Sequence, residues 1–463
     1  MDSNARLARD SSFNGAVPET GFAWPRFLPK TAEKRRLIFA SIIGGLILIF
    51  AAHATGRVWS GYADDFKHFY RAAHGMLRGE NIYAAGLGRY VYPPLLAFLL
   101  QPLGLLSLNT AATLWILVNV ALVLTAVVVA TTEITNRWMP ESSGKDLSIR
   151  WAIAAFAVVL AADKIHIVFT QGQTDFVMLL GFACVLRWME RRPWLAGLAI
   201  GFTANIKYLS LIFVPYFLLK KNFRAAFSSL ATFVFFLWLP AIEVGLKRTT
   251  DYLTIAGGGL VNITGAQVHL QRLYIRPVTW DHSVSITSAV FRMSRGRGLP
   301  DGFAVALLIL VFCLGMLLLI IAARRAGVRL VPFGSGDDSP QTRQVTSLEW
   351  AILIGIALAF SPQATARHMV LALLLYAVGG ALLLLERVPK ARRLLAVALL
   401  AMAGATSLPP PGLGPAWLLD SWRAIGGAGW CGLFLTVVLV WIGSRTARDA
   451  MWPRGPQQVT GRN

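Results

Sequence analysis

The sequence predicts an all-α polytopic membrane protein, a bundle of about 12 transmembrane segments with an amphipathic helix lying outside them. Three observations carry this. The 463 residues are 56% hydrophobic and 14% charged, against roughly 25% charged in a soluble domain. Apolar runs of bilayer length recur between residues 37 and 443, and basic clusters fall at every second boundary in the last third of the chain, as alternate crossings require.

The excess of 44 basic over 23 acidic residues, a net charge of +21, raises nucleic acid as a partner. The basic residues form short clusters between apolar runs and not one extended patch, so the lipid bilayer is the expected partner and no nucleic acid is expected. Cys184, Cys313 and Cys431 each lie in or beside an apolar run with no paired spacing. Neither a disulfide framework nor a zinc site is indicated, and no metal or other cofactor is expected. There is no P-loop, no Gly-rich dinucleotide motif and no segment reading as a cytoplasmic soluble domain.

Residues 1–36 read as a basic cytoplasmic tail, 37–443 as the membrane domain and 444–463 as a cytoplasmic tail. The first span, 37–54, has no clear cleavage pattern after it and puts the loop at about 56–92 outside. Pro93-Pro94 opens an apolar segment ending near Ser107, Asn109-Thr110 marks a turn, and a span follows at 111–131. From 151 to 187 the apolar character is interrupted by Asp163, Lys164 and His166. Such charges are tolerated only against protein or a water-filled cavity, so broken helices are expected. The 194–219 segment is basic at both ends, so it is either a single crossing that strands one cluster outside or, the preferred reading, a re-entrant pair of half-helices with Lys207 near its tip that keeps both clusters inside. The run 225–242 leads to a second external loop at 246–300, then apolar runs at 302–322, 349–361, 369–385, 393–406 and 427–443, with a cytoplasmic linker at about 323–347. Pro409-Pro410-Pro411, with Trp417 and Trp422, suits an external interfacial turn.

The stretch from Tyr62 to Pro94 carries the chemistry. Phe66, Phe69, Tyr70, Ala73, Met76 and Leu77 recur at helical spacing, and Lys67, Arg71, His74 and Arg78 recur on the other side. Asp64 or Asp65 starts this helix, where a carboxylate can cap free N–H groups. Two adjacent acids at a membrane lip also suit catalysis. The order Asp65-Phe66, Phe69-Tyr70, Ala72-Ala73, Gly79, Tyr83 and Tyr92-Pro93-Pro94 resembles the first external loop of GT-C membrane glycosyltransferases, in the branch of polyprenyl-phosphate-sugar-dependent α-mannosyltransferases and arabinofuranosyltransferases. The resemblance covers most of residues 60–370 and implies a GT-C-like bundle with Asp65 as catalytic base and Asp64 its neighbour. Gln171-Gly172-Gln173 matches a turn of that family, and 196–207 matches its small-residue segment ending in lysine. Asp281-His282-Ser283 stands where the family has Asn-Gln-Ser and differs at two of three positions. His368, after Ser361-Pro362, matches a family histidine, although an aromatic and a second histidine are missing.

Glycosyl transfer needs a base for the acceptor hydroxyl and cations for the departing phosphate. The expected catalytic residues are Asp65 and His368, with Lys207, Arg367 and Arg71 at the donor phosphate, and Asp64, Tyr83, Gln173 and His282 as secondary candidates. A buried Lys207 can also pair with Asp163 or Asp175. The arginines of the 246–300 loop (272, 276, 292, 295 and 297) are either a tolerated basic loop or a seat for phosphate. The resemblance implies a polyprenyl-phosphate sugar donor, mannose before arabinofuranose, and a lipid-linked or polymeric glycan acceptor. The place is the outer face of a bacterial cytoplasmic membrane. The competing class is a transporter or flippase of lipid-linked sugars, for which charged, broken spans are equally natural.

Overall fold

The computed structural model describes residues 24–25, 27–140, 146–263, 273, 276–330, 339–362, 364–406 and 416–449, and every regular element among them is a helix. The principal helices of the first half are α1 (Ala32–Trp59), α2 (Phe66–Leu77), α3 (Leu108–Trp138), α4 (Leu147–Leu160), α5 (Ala162–Gln171), α6 (Asp175–Trp188), α7 (Pro193–Ala204), α8 (Phe213–Leu219) and α9 (Phe223–Trp238). Those of the second half are α10 (Leu246–Ile263), α11 (Ile286–Gly296), α12 (Asp301–Arg325), α13 (Pro340–Phe360), α14 (Ala372–Leu385), α15 (Pro389–Thr406) and α16 (Gly427–Asp449). The expected interfacial prolines 409–411, Arg272, the middle of the linker and most of both tails lie outside the described residues.

Among the described residues seven helices are long and apolar enough to cross a bilayer, and eight if α4 and α5, bent by 64° to each other, form one span. The protein is therefore an all-helical polytopic membrane protein. The expected count of about twelve includes apolar segments that fold as shorter pieces. Residues 94–107 show why: they form two short helices, Pro94–Leu99 and Gln101–Gly104, with Pro102 opening the second. Fourteen residues of helix span only about 21 Å, too little for a hydrocarbon core of roughly 30 Å. They fold back on α2 instead, where a ring nitrogen of His74 bonds the Gly104 carbonyl at 2.8 Å. The turn expected at Asn109-Thr110 is already helix, because Ser107 caps α3 through the Thr110 N–H.

The core is α14, whose residues from Ala372 to Leu382 are all buried, as an apolar helix without a polar face requires. α12 sits at the periphery, with Ile309, Leu310, Leu317 and Leu318 exposed, as lipid contact demands. The interruptions at Asp163, Lys164 and His166 coincide with the α4–α5 bend. Lys164 pairs with Asp163 at 2.5 Å, and His166 Nε2 meets His53 Nδ1 on α1 at 2.8 Å.

The 194–219 segment is a broken pair. α7 runs to Ala204, the chain reverses at Asn205 to Lys207, and a 3-10 turn at Tyr208–Ile212 leads into α8. Both ends return to one place: the Arg192 N–H donates to Trp188 O, and Asn222 Nδ2 donates to Met189 O at 2.8 Å. α9 then ascends parallel to α7, since Gly197 faces Ala225 and Ser228, Gly201 faces Ser229 and Thr232, and Asn205 Nδ2 bonds Phe233 O at 3.0 Å.

Two expected loops contain helix. The 246–300 region holds α10, which buries Thr249, Tyr252 and Ala256, and α11, capped by Ser285 through the Ser288 N–H. The expected linker is helical at both ends, because α12 continues to Arg325 and Ser339 caps α13 through the Thr342 N–H.

A Cβ at Gly197 would lie 2.4 Å from the Ala225 carbonyl oxygen, whereas one at Gly44 on α1 meets nothing within 4 Å. Gly197→Leu is expected to destabilise the purified protein by about 1–3 kcal/mol or more, and Gly44→Leu to leave its thermal unfolding midpoint in detergent near that of wild type.

Candidate active site

α2 lies on a floor of aromatic rings. Its apolar positions Phe66, Phe69, Ala72, Ala73 and Met76 are buried, while Leu77 at the end of the stripe is 39% exposed. Phe69 meets Tyr92 edge-on at 5.1 Å, Tyr90 donates to Pro93 O at 2.7 Å, and Tyr83 donates to Tyr252 O at 2.9 Å. Tyr83 is thus part of the packing beneath the site and does not line the cavity above it.

Asp65 is the N-cap residue of α2, yet its side chain makes no capping bond. Its Oδ2 accepts from Arg367 Nη1 at 2.9 Å and from Gln173 Nε2. Oδ1 has no hydrogen-bond partner among the described residues, and the side chain is 38% exposed, facing a cavity of about 590 Å³. Asp64 has φ 23° and pairs with Arg57 at 3.0 Å. Neither aspartate caps the helix, so that expectation is corrected: each carboxylate has an arginine close enough to take it.

The partners of Asp65 come from two distant turns. Gln171-Gly172-Gln173 closes α5, with Gly172 at φ 64°. A Cβ there would lie 2.7 Å from Phe66 Cβ, so the turn needs glycine for conformation and for close approach. Trp115 Nε1 anchors it at the Gly172 carbonyl, 2.9 Å away. Gln171 Oε1 accepts from Arg367 at 3.4 Å, and Gln173 Oε1 accepts from the Tyr92 hydroxyl at 3.1 Å. Arg367 and His368 lie in a 3-10 turn, Ala366–Leu371, that leads into α14.

A second charged group lines the same cavity. Lys207, at the tip of the broken pair, donates to Asp175 Oδ1 at 2.7 Å, and Asp175 has no exposed surface. Asp175 opens α6, where the helix dipole favours a carboxylate. His368 Nδ1 accepts from the Thr365 N–H at 3.1 Å, and Nε2 stands 3.9 Å from the same Asp175 oxygen. The expected partnership of His368 with Asp65 is therefore corrected: the turn aims Arg367 at Asp65 and His368 at Asp175.

His68, one turn after Asp65, carried no signal in the sequence and also lines the cavity. Its Nδ1 donates to Gly86 O at 3.2 Å, and its buried Nε2 has no partner among the described residues. Burial holds the imidazole below its ordinary pKa, which favours the neutral ring with its proton on Nδ1. Arg89 and Arg276 line the wall, Arg276 lying over the Trp280 ring at 5.0 Å. Arg71 is exposed and not part of the lining, and His282 is exposed, paired with Asp281 at 2.7 Å. Arg292 bonds the carbonyls of Trp280 and Arg423, and Arg295 pairs with Asp301, so both serve packing.

Residues 90–334, more than half of the chain, match the sequence model of Glycosyltransferase family 87. The chain belongs to that family. Gln173, Asp175 and Lys207 fall within the matched segment, and Asp65, Arg367 and His368 lie to either side of it. The chain is 27% identical to a polyprenol-phosphate-mannose-dependent alpha-(1-2)-phosphatidylinositol mannoside mannosyltransferase of Mycobacterium tuberculosis, over 37% of this chain and 43% of the relative. To a protein of the same description from Mycolicibacterium smegmatis it is 25% identical, over 67% of this chain and 68% of the relative. To an alpha-(1->3)-arabinofuranosyltransferase of Corynebacterium glutamicum it is 30% identical, over 41% and 46%. The chain thus spans less than half the length of the first of these relatives. No solved structure matches. Membership in a glycosyltransferase family decides against the transporter alternative.

Breaking a buried ion pair by removing one partner costs about 3–5 kcal/mol, whereas apolar replacement of both is close to neutral. Asp175→Asn is expected to destabilise the protein by that amount, and Asp175→Leu with Lys207→Met to recover most of it, read by thermal unfolding of the wild type and both variants in detergent.

Proposed function

We propose that the protein transfers one sugar from a polyprenyl phosphate to a hydroxyl of a lipid-linked or polymeric glycan, at the outer face of a bacterial cytoplasmic membrane. Mannose is the first choice and arabinofuranose the second, after the activities named for the relatives. The observation that carries this reading is Asp65 itself. It is a carboxylate at a helix start that caps nothing, is gripped on one oxygen by Arg367 and Gln173, and keeps the other open to a cavity.

In the proposed reaction Asp65 Oδ1 takes the proton of the acceptor hydroxyl as its oxygen attacks the anomeric carbon. The bond from that carbon to the phosphate oxygen breaks, and the electron pair leaves on polyprenyl phosphate. Lys207 spends one N–H on Asp175 and has two more for the phosphate. Arg276 and Arg89, which line the same cavity, are further cations for it, and take the place of Arg71. Arg367 holds the base in orientation.

Losing a general base lowers turnover by about 10²–10⁴-fold. Asp65→Asn is expected to show that loss with an unchanged thermal midpoint, measured with labelled polyprenyl-phosphate mannose and arabinofuranose. Asp64→Asn, which breaks a half-exposed pair with Arg57, should stay within a few-fold of wild type. Near-normal turnover by a folded Asp65→Asn protein would sink the assignment. Lys207→Ala should raise the apparent KM for the donor; an unchanged KM would move the phosphate to Arg276.

A further inference from the structure

A second cavity, of about 280 Å³, lies at the far ends of the helices that build the main one. α13 measures the distance. Arg343 near its start lines the second cavity, and Ser361 and Pro362 just past its end line the first. Twenty-one residues of helix span roughly 31 Å, about the thickness of the hydrocarbon core. The second cavity therefore sits at headgroup depth in the leaflet opposite the main cavity.

Its lining is unequal in charge. Five arginines (137, 187, 191, 192 and 343) face two carboxylates, Glu133 and Glu190. Arg137 grips Glu190 with both Nη atoms, at 2.7 and 3.0 Å, and Arg187 reaches Glu133 at 3.3 Å. Arg191 and Arg192 are exposed and have no ion pair among the described residues. Arg137 is only 5% exposed, and its Nε is buried without a partner among the described residues. Trp188 completes the wall, an amphipathic ring of the kind that settles at headgroup level.

We infer that this cavity binds the phosphate of an anionic phospholipid in the leaflet opposite the main cavity. Guanidinium groups recognise phosphate through paired N–H donors, and basic recesses between spans collect anionic headgroups. The bound lipid would join the ends of α3, α6 and α13, and would stabilise the fold by mass action.

Thermal unfolding of the purified protein in detergent, titrated with phosphatidylglycerol, phosphatidylcholine of the same chains, or inorganic phosphate, tests this. Phosphatidylglycerol is expected to raise the midpoint, with phosphatidylcholine and phosphate inert at equal concentration. Arg191→Gln with Arg192→Gln should weaken the phosphatidylglycerol effect by about tenfold or more, the scale of one lost charge-assisted hydrogen bond. Should that variant fail to fold, Arg191→Lys with Arg192→Lys keeps the charge and removes the paired donors, and should weaken it by several-fold. An equal response to inorganic phosphate would assign the cavity to a soluble anion and overturn the lipid. An equal response to phosphatidylcholine, or an undiminished response in the folded variants, would overturn the site.

Discussion

The ion pair between Asp65 and Arg367 joins residues 302 positions apart, and the main cavity depends on it. A partly buried carboxylate is favoured by a cation, because charge taken out of water without a partner is costly. Arg367 supplies one from the turn that leads into α14, the buried centre of the bundle. Gln173 takes the same oxygen from a third direction. Three segments far apart in sequence converge on one atom, and their convergence leaves Oδ1 as the open face.

Beneath this junction the packing allows little adjustment. Gly172 approaches Phe66 too closely for any side chain, and Trp115 locks its carbonyl. Tyr83, Tyr90 and Tyr92 spend their hydroxyls on the Tyr252 and Pro93 carbonyls and on Gln173. The three hydroxyls of this floor are thus all satisfied. His68 Nε2, by contrast, is buried with no hydrogen-bond partner among the described residues.

Buried charge also explains why the apolar segments break. Lys207 can hold its charge only beside Asp175, and a continuous helix through 194–219 could not bring it there while returning Asn222 to Met189. The reversal at Asn205 to Lys207 satisfies both. The cost is exposed backbone ends, met in part by Asn205, whose amide bonds the carbonyls of Gly201 and Phe233. Irregular backbone of this kind persists in a membrane only where it lines a cavity, and Lys207 lines the main one.

Composition and the period of apolar residues were enough to determine the class, the apolar face of α2, the break near Asp163 and the tip at Lys207, since each follows from local pattern against a bilayer. The same residues left open whether Asp65 caps or accepts, because a carboxylate at a helix start looks alike in both roles. Whether Lys207 faces Asp163 or Asp175, and whether His368 serves Asp65 or Asp175, depended on which turns meet. The short fold-back at 94–107 and the helices within 246–300 were hidden for a related reason: apolar runs reveal burial but not direction. Pairing across 302 residues has no periodicity to reveal it, so only the tertiary structure could decide which charge answers which.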